Sequence, residues 1–387
     1  MSITPGLRRD GPRLVLLARL AAALTAWIAL FPAPLQAQLD WQPEKTWLFA
    51  VGVLQWQHGD VWPGMPGAKT NRRDAELVEH FRSRGVPGKQ IVYLQDREAT
   101  RKRIQHALTE HLARTRSGDL LIFYYTGHGS RNHETHKACF ANYDAASSES
   151  AWQVSEIFDA IEQGFRGDRA LLIADCCFSG ALVDVARQRE SKIAYGCLCS
   201  SFSHNTSTGN WTFTESLLKG WRGDPGVDLD GDGAIEWQEM GRSAELDMAF
   251  IERQKSMFQA THGFDPRMKL VAANGPRRPR LGERLEAKWK GAWYRAQVID
   301  VRGEQLKIHY AGDADSWDEW VGPERIRPFR PRQFDIGQQV DVKWDADKKW
   351  YPAAVIRPWY GLHLVGYDGY PPEWNEWVGP DSIRPRH

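Results

Sequence analysis

What this sequence lacks narrows it first. Neither sign of charge is in excess: 50 lysines and arginines face 49 aspartates and glutamates over 387 residues. No bulk field draws in nucleic acid or an anionic membrane, so no nucleic-acid partner is expected. Cysteine is scarce, five in all, and each one lies between Cys139 and Cys199. An odd number leaves at least one thiol free, and the others read as buried apolar thiols in strands, with a single disulfide as the alternative. Long apolar runs are missing as well. The stretch Leu20 to Phe31 near the N-terminus falls short of the roughly 20 residues that cross a bilayer.

That short run has a secretory pattern instead. Arg8, Arg9, Arg13 and Arg19 precede or flank it, and Pro32, Pro34 and Leu35-Gln36-Ala37 offer a small-residue cleavage site after Ala37. Residues 1–37 therefore read as a signal peptide, giving an exported protein of the bacterial periplasm or secreted, with no stable membrane span after cleavage. An uncleaved anchor, extended through Leu14 to Ala18, is the alternative.

The length suits two or three domains. From about 45 to 275, continuous apolar runs alternate with helical stripes, the pattern of a parallel sheet covered on both faces. Trp47–Leu54 and Ile91–Leu94 read as strands, with Asn71–Arg84 and Ala99–Arg116 as helices. Ile193–Cys199 and Met268–Ala273 are expected as the fifth and sixth strands. Two runs carry chemistry at their ends: Leu120 to Thr126 leads into Gly127-His128-Gly129, and Ala170 to Ala174 leads into Asp175-Cys176-Cys177-Phe178-Ser179-Gly180. The crevice beyond such strand ends is where α/β active sites form. A histidine and a cysteine delivered there make a base and a thiol nucleophile. Cys176 competes for the role, but neighbouring side chains on a strand point to opposite faces, so one of the pair faces His128.

His128-Gly129 together with the Asp175 to Gly180 segment resembles the paired signature of the caspase-like peptidases, in their metacaspase and bacterial caspase-like branch. Phe178 stands where metacaspases often carry histidine. The resemblance covers residues 45 to 275 and implies an α/β, caspase-like parallel-sheet sandwich with helices on both faces over residues 38–275. It implies a cysteine endopeptidase of proteins or peptides in which Cys177 is the nucleophile, His128 the base, and the N–H groups of Gly129 and Cys177 the oxyanion donors. Asp175 and Asp74 match the acidic residues that select Arg or Lys in the first pocket, whereas the arginine that holds aspartate in true caspases is replaced by Ala68. Two other readings share part of this logic: a caspase fold kept as a non-catalytic adaptor, and a legumain-like asparagine peptidase.

Asp228 to Glu239 fits a twelve-residue calcium loop, with oxygens expected from Asp228, Asp230, Asp232, the Ala234 carbonyl, Glu236 and Glu239. Ca2+ would serve there as a structural cofactor. Beyond the Pro- and Arg-rich 274–280 linker lies an internal repeat: Asp318-Glu319-Trp320-Val321-Gly322-Pro323 returns as Asn375-Glu376-Trp377-Val378-Gly379-Pro380, and Ile326-Arg327-Pro328 as Ile383-Arg384-Pro385. Repeats of about 55 residues with short strands fit small barrels. They resemble Tudor-like modules of the agenet or chromo-barrel type, as two small SH3-like β-barrels over 276–331 and 332–387. Their aromatics suggest cages for a methylated cation on a protein ligand: Trp293, Tyr310 and Trp317 in one, Trp350, Tyr367 and Trp374 in the other.

Overall fold

The computed structural model describes Met1 and residues 39–65, 70–132, 134–276, 280–329, 332–344, 347–359 and 361–386. The expected signal peptide, Ala68 and linker positions 277–279 lie outside the described residues. Residues 39–387 form one compact unit.

Six strands build its central sheet: β1 (Thr46–Gly52), β2 (Ile91–Gln95), β3 (Leu120–Thr126), β4 (Arg169–Asp175), β5 (Ala194–Cys199) and β6 (Met257–Thr261), in the order β6-β5-β4-β3-β1-β2. All neighbours run parallel except β6 against β5. β1 and β3 are buried along their whole length, which is why both read as unbroken apolar runs. Helices cover both faces. On one lie α2 (Arg101–Ala113), α3 (Val154–Gly164) and α4 (Ala181–Gln188), burying Ile104, Leu108, Phe158, Ile161 and Leu182. On the other lie α1 (Arg73–Ser83), α5 (Thr212–Trp221) and α6 (Trp237–Asp247), burying Leu77, Phe81, Leu217, Trp221 and Met240.

The sixth strand is not where the apolar pattern put it. Lys269–Ala272 pairs with Ala234–Glu236 in a separate ribbon, and the sheet edge is Met257–Thr261. An edge strand half open to solvent carries mixed residues, here Met-Phe-Gln-Ala-Thr, and escapes a search for apolar runs.

Two five-stranded antiparallel sheets follow. The first contains β7 (Arg284–Trp289), β8 (Ala292–Arg302), β9 (Gln305–Tyr310), β10 (Glu319–Val321) and β11 (Ile326–Pro328), in the order β10-β9-β8-β7-β11. The second repeats that order with β12 (Gln339–Lys343), β13 (Trp350–Trp359), β14 (Leu362–Tyr367), β15 (Glu376–Val378) and β16 (Ile383–Pro385). Both dock on the end of α6 and the π-helical turn Met248–Glu252. There Leu246, Ala249 and Phe250 share an apolar cluster with Phe329 of the first barrel and Leu362 and Trp377 of the second. Arg284 adds a buried ion pair to Asp247 at 2.8 Å. Among the described residues no helix is long and apolar enough to cross a membrane, and all five cysteines are free.

Candidate active site

The ends of β3 and β4 deliver the two expected side chains to one cavity of about 170 Å³. His128, Asp175, Cys176 and Cys177 line it together with Leu54, Met65 and the loop Ser207 to Trp211. Three backbone features aim them. Gly127 takes φ 150°, with the Val53 carbonyl only 2.7 Å from where a Cβ would sit. Gly129 lies so close to the next segment that a Cβ would come within 1.8 Å of the Cys177 carbonyl oxygen. Phe178, just after Cys177, holds φ 58°, a left-handed turn between β4 and α4 that swings the chain into the helix.

His128 is held as well as placed. Its Nε2 lies 2.8 Å from the Pro63 carbonyl, its ring centroid 4.4 Å from that of Trp56, and its own carbonyl accepts from the Tyr125 hydroxyl and the Ala141 amide. A carbonyl accepts only, so Nε2 carries the hydrogen and Nδ1 keeps its lone pair. Burial holds this imidazole below its ordinary pKa, partly offset by the Pro63 contact. The Cys177 thiol is pushed up by burial, against the N–H groups of Ser207, Cys177 itself and Gly129, which stabilise its anion. The Ser207 amide stands 3.1 Å from Sγ. Cys176 is buried, and burial raises its thiol too.

Asp175 lies two residues before Cys177 and lines the same cavity, buried, with Oδ2 accepting from the Thr214 hydroxyl at 2.6 Å. Burial raises its carboxyl to about 6. Among the described residues no cation pairs with it. Asp74 is different and corrects the expectation that it faces substrate. Its side chain is fully buried in a forked pair with Arg72, at 3.0 and 2.6 Å, and accepts from the Tyr93 hydroxyl at 2.6 Å. Its charge is already matched, and it is not among the residues lining the cavity.

In the calcium-type loop, the Asp228, Asp230 and Asp232 carboxylates converge within 4.8 Å. The rest of the expected ligand set fits less well. Glu239 turns both oxygens onto backbone amides, of Leu229 and Asp230 on one side and Glu236 on the other. Glu236 accepts from the Gln238 side chain, Ala234 heads a strand, and the Lys269 ammonium sits 2.6 Å from Asp232.

Each barrel carries an aromatic cage, but not with the expected three rings. Trp289, Tyr294, Tyr310, Trp317 and Asp313 line a cavity of about 260 Å³ in the first. Trp344, Tyr351, Tyr367, Tyr370, Trp374 and Asp347 line one of about 190 Å³ in the second. Trp293 and Trp350 are outside, under the guanidinium groups of Arg327 at 4.3 Å and Arg384 at 4.1 Å. The reason is the pleat: in each Trp-Tyr pair the second residue faces the cage, and its neighbour faces away.

The caspase domain family matches residues 63–261, just over half the chain. The chain belongs to the caspase-domain family. The agenet domain matches residues 283–331, the first barrel. A relative named Metacaspase-7, from Arabidopsis thaliana, is 31% identical over 122 residues, which cover 29% of this chain and 30% of that protein. The chain thus spans under a third of that relative's length. A solved protein of Geobacter sulfurreducens superposes with a TM-score of 0.41 at 17% identity, over 59% of this chain and 99% of that one.

Several contributors to this caspase-type site carry no sequence signal. Pro63 and Ser207 act through backbone atoms in loops, which no side-chain pattern reveals. Trp56 had a signal, an aromatic just past the end of β1, at the same edge of the sheet as His128. Tyr294 and Tyr351 stood directly beside the tryptophans chosen in their place.

Proposed function

We propose that this protein is a cysteine endopeptidase cutting after arginine or lysine through a His128–Cys177 dyad. The observation that carries the reading is the meeting of that thiol, that imidazole and the unpaired carboxylate of Asp175 in one cavity. A buried carboxylate without a cation is costly, and a basic side chain of the substrate would supply one. Nδ1 of His128 takes the Sγ proton as sulfur bonds to the scissile carbonyl carbon, while the N–H groups of Gly129 and Cys177 receive the oxyanion. The carbon–nitrogen bond then breaks, the proton passes from Nδ1 to the leaving amine, and water hydrolyses the thioester.

The test is cleavage of fluorogenic peptides with Arg, Lys, Asp or Asn at P1, by protein beginning at Gln38, beside a Cys177→Ala control. Turnover of the basic peptides alone, lost in the control, is expected. Silence on every peptide from a folded protein, with Cys177 alkylated by iodoacetamide no faster than a free thiol, would turn the weight to the adaptor reading. Turnover of the Asn peptide alone would favour a legumain-like specificity.

The pH profile separates the two acid groups. Activity needs His128 neutral, and burial keeps it neutral to below its ordinary range. Recognition of a basic side chain needs Asp175 charged, and its carboxyl is raised to about 6, so it gains a proton as pH falls through that value. For an Arg peptide kcat/KM should fall as pH drops below about 6, chiefly through KM, and Asp175→Asn should remove that limb together with the Arg preference. A limb that survives Asp175→Asn unchanged assigns it to another group.

Three further proposals follow from the sequence. We propose export directed by residues 1–37, checked by a mature N-terminus at Gln38 in the extracellular or periplasmic fraction. We propose a Ca2+ ion held by Asp228, Asp230 and Asp232, with Glu239 turning inward and Lys269 leaving. Calorimetry should then show calcium binding that tightens in Lys269→Ala, and the site is refuted if neither form binds at millimolar calcium. We also propose that the cages take an alkylated ammonium group on a protein ligand.

A further inference from the structure

The two cages differ in what lies behind them. Trp317 of the first is 52% exposed, and among the described residues its cage meets no ring from the peptidase domain. Trp374, its counterpart in the second barrel, packs edge-on against Phe202 at 4.7 Å and lies 5.2 Å from His204, while Trp344 stands 6.1 Å from Phe202. One face of the second cage is therefore set on the peptidase domain.

The segment it touches is the one that holds the nucleophile. Three residues beyond Phe202, the Asn205 carbonyl accepts from the Phe178 amide at 2.9 Å, fixing the left-handed turn after Cys177. Two residues further, the Ser207 amide donates to Cys177 Sγ at 3.1 Å. Gln254 braces the far end: its Nε2 donates to the Ser200 carbonyl at 2.7 Å and the Ser207 hydroxyl at 3.1 Å, and its Oε1 accepts from the Thr208 amide at 2.9 Å. Behind the loop there is no slack, since a Cβ at Gly180 would meet the Ser203 nitrogen at 2.4 Å. The short 202–207 loop thus joins the ring contact at Trp374 to the amide on the Cys177 sulfur.

We propose that the second cage is a regulatory site: an alkylated ammonium group bound between Trp344, Tyr351, Tyr367 and Trp374 fixes Trp374 against Phe202, holds the Ser207 amide on the Cys177 sulfur, and so raises the reactivity of the thiol. The inference rests on the cage reading given above. It adds that the two modules are not interchangeable: the second one reports to the active site. The device is a contiguous packed chain from ligand to nucleophile, three residue contacts long.

The probe is Nε-trimethyllysine amide added to the full chain from Gln38, with iodoacetamide alkylation of Cys177 followed by mass spectrometry. Binding is read separately by calorimetry. The expected result is alkylation accelerated severalfold by the probe, with the acceleration lost in Tyr370→Ala. Without probe, Trp374→Ala should slow alkylation about tenfold, the size of one hydrogen bond to a charged group partly lost. Trp293→Ala, an outward tryptophan of the first barrel, should not change it. Binding without any change in alkylation overturns the coupling and leaves the cage reading standing. No binding at all overturns both. Should Trp374→Ala fail to fold, Phe202→Leu asks the same question from the other side of the contact, and an unchanged alkylation rate there refutes the relay.

Discussion

The two barrels repeat one strand order and four matching cage rings, to which the second adds Tyr370, yet they meet the caspase domain in different ways. The first adds an ion pair to its single buried ring, Phe329: Arg284 reaches the buried Asp247 at 2.8 Å, both side chains being almost wholly enclosed. The second is tied by apolar surface, with Leu362 and Trp377 buried against Leu246, Ala249 and Phe250. The repeat shows how this arose. Where the first barrel has Arg302, Gln305, Lys307 and Trp320, the second has Trp359, Leu362, Leu364 and Trp377. Arg302 and Gln305 are exposed, and Trp320 is half-buried under the Arg302 guanidinium at 4.4 Å. Three polar-to-apolar changes on the hairpin face converted a solvated surface into a docking surface. Internal repeats can keep four cage rings in common while one copy gains an apolar docking face on the caspase domain.

The sharpest way to break the comparison is to truncate the matched tryptophans. Trp377→Ala removes a ring that is 3% exposed and should cost about 3–5 kcal/mol, as large core truncations do. Trp320→Ala removes its half-buried counterpart and should cost about 1 kcal/mol or less. Thermal and urea unfolding of both variants measures the difference, and equal losses would mean that the second barrel is not docked through this face. Next comes Arg284→Met, which strands Asp247 in the interior. Ser216 and Lys219 still face that carboxylate, so the expected loss is about 3 kcal/mol, at the low end for a broken buried pair. The stability of Arg284→Met should recover partly with Asp247→Asn, and a double variant as unstable as the single one would refute the pairing.

A smaller effect separates the cages from the tryptophans outside them. Trp289→Ala should weaken binding of a trimethyllysine peptide by about 1–2 kcal/mol, the worth of a desolvated cation–ring contact. Trp293→Ala, which strips a ring from beneath Arg327, should leave binding unchanged. The opposite outcome would put Trp293 back among the ligand-binding residues.

Much of this was legible before the fold was known, and the failures have definite causes. The parallel sheet could be read because β1, β3 and β4 are covered on both faces and write themselves as apolar runs. That His128 and Cys177 would line one cavity could be read because each follows such a run directly. Asp74 was misjudged because nothing in its spacing discloses that Arg72, two residues away, folds back onto it. Trp293 and Trp350 were misjudged by one residue, which on a strand is the other face. The docking face was written plainly in the repeat, as Arg302 against Trp359 and Gln305 against Leu362. It is seen only when the two copies are compared for their differences, since the likenesses identify the module and the differences identify the interface. The Ser207 amide had no sequence signal, because a backbone donor is placed by the loop that carries it.

The smallest effect tests whether the barrels also hold each other. Asp381 of the second barrel pairs with Arg295 of the first at 2.7 Å and with Arg253 of the peptidase domain at 3.2 Å. It is half-exposed, and an open ion pair is worth at most about 1 kcal/mol and is screened by salt. Asp381→Ala should therefore cost less than about 1 kcal/mol at low ionic strength and nothing measurable in 1 M salt. A loss above about 2 kcal/mol that persists in salt would mean that this three-way contact sets the barrels' mutual orientation. In that case the first barrel would not be free of the second, and a ligand in its cage should also alter Cys177 alkylation. A small, salt-sensitive loss means that this ion pair does not couple the two modules.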